Sequence, residues 1–217
     1  MAEKTSRYPK SVETRSRLRE ATEACLFELG YVGTSTVEVC QRAGLSRGAL
    51  LHHYPTRHEL IVDTARHFWA RAETSMDDLA EALGGGRLDV RGFVEGVFQQ
   101  VFGPRRIAIT LELIVATRSD ETLRAAIAGI FSRLIESYQE SAARALLRSG
   151  LSQAQIGLVV SLVASTLRGL WVQQMLMPDE AMKAATIDSL IYAVERILAS
   201  GPERFREAVS TDARRAS

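Results

Sequence analysis

The 217-residue chain has little cysteine, little proline and almost no net charge. Its two cysteines, Cys25 and Cys40, fall on apolar helical stripes, which reads as two buried thiols ahead of a disulfide or a redox pair. Five prolines leave long stretches of uninterrupted helical periodicity, and these point to an all-α protein. The longest strongly apolar run, Ile156–Leu167, is broken by serines and falls short of a bilayer-spanning helix. The N-terminus is polar and lacks the apolar segment of a secretory signal, so a cytoplasmic protein without a membrane partner is expected. The Gly84-Gly85-Gly86 run has no strand before it and no Lys-Ser/Thr after it, so it reads as a flexible turn and not a phosphate loop. Nor does any nucleophile–base–acid set or cofactor fingerprint occur, and no enzymatic activity or cofactor is expected. His52, His53 and His58 with Cys40 lack zinc-ligand spacing, so no metal is expected.

What charge there is has a gradient. Residues 1–57 hold nine Lys/Arg against six Asp/Glu, and the remainder holds 18 against 20. A mildly basic head on a mildly acidic body suits one nucleic-acid-facing end.

The richest local information lies between Ser35 and Glu59. Ser35 with Glu38 has capping-box spacing, so a helix starts at Thr36. Thr36, Val39, Cys40 and Ala43 give it one buried stripe, and Gly44 stops it in a left-handed conformation with Leu45 as the apolar contact beyond. Ser46 caps a second helix, Arg47 to about His53, which Tyr54-Pro55 ends. Thr56 with Glu59 opens a third, running to about Leu83. Two short helices joined through a turn containing Gly match a helix-turn-helix, whose second helix enters a DNA major groove.

In chain order, residues 1–11 read as a disordered polar tail, 12–57 as the helix-turn-helix domain and 58–205 as a second, larger domain. A bracing helix from Val12 to Leu29 buries Leu18, Ala21, Thr22, Cys25, Leu26 and Leu29, and Gly30 ends it. Its Arg15, Arg17 and Arg19 either face DNA or form a solvated face. In all, nine helices are expected, three in the head and six in the body, with the last ending near Gly201-Pro202. The helix from Ser152 to about Met175 is apolar on more than one face, so it needs burial on two sides, and a second copy of the chain supplies the cover.

Gly30-Tyr31, Ser35 to Cys40, Arg42 to Leu50 and His53-Tyr54 resemble the N-terminal domain of the TetR family of bacterial transcriptional regulators, over roughly residues 13–62. The resemblance implies a homodimer built on the last two helices, a palindromic double-stranded DNA operator, and a small-molecule effector that releases a repressor. Arg47 is the leading base or phosphate contact, Gly48 permits close approach, and Ala49 or Leu51 meets a thymine methyl. In the family Ala49 stands where Thr is common and Leu51 where Tyr is common, so two hydroxyl contacts are missing here. His52, His53 and Arg57 read as phosphate contacts, with Ser35 and Thr36 adding donors at a helix N-terminus. Trp69, Phe93, Phe98, Phe102, Phe131, Arg168, Trp171 and Met175 are candidate lining for a hydrophobic effector, with plain core as the competing reading of each aromatic. Glu112, Arg118 and Arg168, charges in apolar stretches, are ligand-facing, paired or at an exposed edge.

Overall fold

The computed structural model describes the backbone of residues 7–147 and 149–213, and side chains within 11–147 and 149–200. Among these residues the fold is nine α-helices and one π turn, with no strand. The helices are α1 (Arg7–Gly33), α2 (Thr36–Ala43), α3 (Arg47–His53), α4 (Arg57–Gly84), α5 (Val90–Gly96), α6 (Pro104–Ala116), α7 (Glu121–Ala145), α8 (Gln153–Leu176) and α9 (Glu180–Ala213), with the π turn at Val97–Val101.

The chain divides into two compact units. The first takes the described residues up to Arg71 together with Ala108–Ser132, and the second takes Ala72–Ile107 and those from Arg133 onward. The boundary falls inside α4, α6 and α7, each of which is continuous from one unit into the other.

In the first unit, Leu18, Ala21 and Cys25 of α1 pack with Val39, Cys40 and Ala43 of α2, Leu50 of α3, Tyr54, and Leu60 of α4. Both thiols are buried and unbridged, and burial pushes each above its ordinary range. In the second unit, Ile156, Val159, Val163, Leu167 and Leu170 form the buried side of α8. Leu158 and Leu162 on its other side are 46% and 41% exposed. By length and composition α8 could cross a membrane, although only a third of its most apolar window is buried in this chain. A helix apolar nearly all round calls for cover on both sides.

Three boundaries differ from the sequence expectation. Helix α1 starts at Arg7 instead of Val12, because Pro9 lies in the first turn, where an amide has no intrahelical acceptor. Of the expected tail, residues 1–6 lie outside the described residues and 7–11 are helical. At Gly30 the backbone turns to φ 70°, ψ 179°, so the expected stop is present as a kink, with helix resuming to Gly33. Finally, α9 runs through Gly201-Pro202 to Ala213. A proline removes one amide donor, and here that loss does not break the helix.

Candidate functional site

The helix-turn-helix is held by local bonds between neighbouring residues. Ser35 Oγ accepts the Glu38 amide at 3.1 Å, and Ser46 Oγ accepts the Ala49 amide at 3.2 Å. Glu38 does not complete a reciprocal capping box, because its carboxylate accepts from Arg42 Nε at 2.8 Å, and Arg42 also reaches Glu28 at 2.5 Å. Gly44 closes α2 at φ 60°, ψ 39°, donating to the Cys40 and Gln41 carbonyls. Thr56 Oγ1 accepts the Glu59 amide at 3.1 Å and opens α4.

With Leu50 and Tyr54 fully buried, α3 turns Arg47, Gly48, Leu51 and His52 outward. Ala49 and His53 lie half-buried at the edge of that face, and the two histidine rings meet edge to face at 5.2 Å. Burial, then His52 and Arg15, lower the His53 pKa. Arg47 makes no hydrogen bond or ion pair to any described residue. A Cβ added at Gly48 would meet only Ser46 Oγ, at 3.9 Å, so nothing inside the chain requires glycine there. Ser35 is exposed and Thr36 half-buried at the N-terminus of α2.

Arg57, Arg17, Arg15 and Arg19 are engaged internally. Arg57, expected on a phosphate, donates Nε–H to the Thr34 carbonyl at 2.6 Å and a second N–H to the Tyr31 carbonyl. Its guanidinium also lies 4.3 Å from the centre of the Tyr31 ring. Arg17 donates to the Ala43 carbonyl at 2.6 Å. Arg15 and Arg19 approach Asp63, which accepts the Tyr54 hydroxyl at 2.6 Å. Burial and Asp63 together push the Tyr54 phenol up to about 12. Arg15, Arg17 and Arg19 thus each reach from α1 to another part of the head.

In the second unit an apolar cavity of about 50 Å³ is lined by α4, α5, the π turn, α7, α8 and α9. Its walls include Met76, Val97, Val101, Tyr138, Val159 and Val194. Of the expected lining only Phe93 and Phe102 are there. Trp69 and Phe131 belong to the first unit, where their rings meet at 5.5 Å and Trp69 Nε1–H reaches Thr110 Oγ1 at 3.3 Å. Phe98 and Trp171 stack on each other with centroids 4.6 Å apart, and Met175 is 52% exposed. Arg168 lies 5.6 Å from the Phe102 ring centre, its pKa lowered by burial. Glu112 accepts the Tyr31 amide at 2.8 Å, and Arg118 is exposed. The wall is mostly aliphatic residues on the inner stripes of several helices, and nothing in one helix's periodicity distinguishes such a residue from ordinary core.

An all-α chain with a capped, well-packed helix-turn-helix defines a class, the helix-turn-helix regulators of transcription, which bind DNA through the motif's second helix. The chain belongs to the TetR family of bacterial transcriptional regulators, a family of regulators and not of enzymes. Residues 18–64 match the family described as "Bacterial regulatory proteins, tetR family". The HTH-type transcriptional regulator CymR of Pseudomonas putida is 30% identical over 172 residues, covering 79% of this chain and 84% of CymR. The HTH-type transcriptional repressor AcnR of Corynebacterium efficiens is 32% identical over 121 residues, covering 54% of this chain and 57% of AcnR. A solved transcriptional regulator of Rhodococcus sp. Rha1 shares the fold, with a TM-score of 0.68 at 19% identity over 86% of this chain and 97% of that one.

Proposed function

We propose that this regulator is a homodimeric repressor that reads a palindromic operator through α3 and is released by a small, uncharged, apolar effector. Residues 12–57 act as the DNA-reading domain, and 58–205 as the sensing and dimerising domain. The observation that carries the DNA reading is the outward face of α3, where Arg47 has no hydrogen-bonded or ion-paired partner among the described residues and Gly48 no internal reason to be glycine. Arg47 contacts a guanine or a phosphate, Gly48 admits the DNA backbone, and Ala49 or Leu51 meets a thymine methyl. His52, His53, Ser35 and Thr36 contact phosphates, while Arg57 supports the motif from within. Repression is favoured by the similarity to AcnR, named a repressor. Acting on chromosomal DNA places the protein in the cytoplasm.

Dimerisation is supported by the outer side of α8, where Leu158, Leu162, Ser165 and Gly169 recur at helical spacing and are exposed. Met182, Ser189 and Tyr192 continue an exposed face on α9. Two such helix pairs make a four-helix bundle. That arrangement also accounts for the apolarity of α8 without a bilayer. The effector reading rests on the cavity, whose wall is apolar side chains apart from the Tyr138 phenol. At about 50 Å³ it is well below the roughly 300 Å³ or more of an ordinary small-molecule pocket, so an effector must widen it. That small volume favours one rival reading, an effector-independent DNA-binding protein or activator of the same fold.

The test is a mobility shift with salt titration on the DNA just upstream of the protein's own gene. Saturable binding to a palindrome, two chains per site, is expected, followed by a screen for apolar molecules that release the complex. Arg47→Ala should abolish specific binding while leaving dimer and helicity intact. Normal operator binding by this variant would mean that the recognition face is misassigned. A screen that releases nothing would favour the effector-independent reading.

A further inference from the structure

We propose that Trp171 is a positioning residue for the cavity: its indole N–H holds the π turn, and the π turn holds Val101 and Phe102 on the cavity wall. The functional consequence rests on the effector reading above. In a regular helix the amide of residue 102 would bond to the carbonyl of residue 98. Here the Phe102 amide bonds one residue further back, to the Val97 carbonyl at 3.0 Å. The Phe98 carbonyl instead accepts the indole N–H of Trp171 at 3.1 Å. A buried carbonyl left unpaired is costly, so a donor from α8 makes the slipped register tenable. The same side chain lies flat on the Phe98 ring, 4.6 Å away and only 10° from parallel. One turn earlier on α8, Arg168 lies over the Phe102 ring at 5.6 Å. Helix α8 therefore grips both ends of the π turn from one face.

The slip decides what the cavity is made of. Val97, Val101 and Phe102 line it, whereas Phe98 and Trp171 do not. Removing one residue of slip rotates the residues that follow it in the same helix by about 100° about the helix axis, which would carry Val101 and Phe102 off the wall. Helix α6 starts at Pro104, directly after the turn, and carries Glu112, whose carboxylate accepts the Tyr31 amide of the head. An effector that displaces Val101 or Phe102 acts on a turn one residue from regular helix, and α6 receives the rotation. π turns are frequent at functional sites.

Trp171→Phe keeps a ring on Phe98 and removes the donor. Its crystal structure should show the Phe102 amide returned to the Phe98 carbonyl. Its affinity for the uncharged probe N-phenyl-1-naphthylamine should differ from wild type by tenfold or more. Phe98→Leu keeps the carbonyl and the indole N–H, and should retain both the π turn and the probe affinity. In the wild-type protein the Trp171 indole proton, assigned with the help of Trp69→Phe, should exchange with solvent at least tenfold more slowly than that of tryptophan in solution. An unprotected indole proton overturns the proposal with no need of the Trp171 variant to fold. An intact π turn in Trp171→Phe, or its loss in Phe98→Leu, overturns it as well. A turn that closes in Trp171→Phe while the probe binds neither protein upholds the latch and removes the effector reading instead.

Discussion

Single residues of the head sort by whether the chain itself uses them. Gly48 is helical and a Cβ there would make only an ordinary contact with Ser46 Oγ, and glycine in a helix costs up to about 1 kcal/mol relative to alanine. Gly48→Ala should therefore stabilise the head by a few tenths to about 1 kcal/mol in denaturant melts while weakening operator binding. Stabilisation without loss of affinity would remove close DNA approach as its reason. Arg57 is the opposite case, with two carbonyls and a ring holding its guanidinium. Hydrogen bonds of charged groups contribute about 1.5–3 kcal/mol, so Arg57→Ala should lower head stability by roughly 2 kcal/mol. If Arg57 only braces, the salt dependence of operator binding keeps its slope in that variant. A slope smaller by about 1 would instead mark a lost phosphate contact.

At the scale of elements, α8 has two apolar sides with different partners. Its inner side is covered by its own chain, and its outer side carries Leu162 at 41% exposure. A charge placed there meets water in a monomer and a dry interface in a dimer. Leu162→Arg should give a folded monomer by light scattering, with operator affinity reduced by more than about tenfold, since half-sites are then read singly. A variant that stays dimeric would place the interface elsewhere.

For the whole molecule, pH reports on the charges packed between α1 and α4. Burial, then Arg19 and Arg71, lower the His67 pKa from its ordinary 6.5, and His53 is lowered chiefly by burial. Because the folded values lie below the unfolded one, the unfolded chain takes up protons first as pH falls. Stability is then full above 6.5 and declines as pH drops through that value and the lower folded one. Melting temperatures taken between about pH 5 and 8 should show this decline, and His67→Gln should flatten it. A decline unchanged in that variant would assign the effect to other groups.

The sequence by itself determined the helix-turn-helix, because its signals are local. Ser35, Ser46 and Thr56 cap bonds within three residues of themselves, Gly44 takes the one backbone conformation that ends α2, and Leu50 with Tyr54 follows from helical spacing. The same periodicity made the chain all-α and marked α8 as needing cover on two sides. What only the tertiary structure decided depends on groups far apart in the chain. Arg57 and Arg17 read from the sequence as candidates to face DNA, and only the structure shows carbonyls 23 to 26 residues away accepting hydrogen bonds from them. Aromatics at good spacing looked like pocket lining, yet Trp69 pairs with Phe131 and Trp171 with Phe98, leaving a wall that is mostly aliphatic, with Phe93, Phe102 and Tyr138 among it. The one-residue slip at Val97–Val101 is supported by a donor 73 residues further on. Periodicity within one helix has no term for a hydrogen bond donated by another.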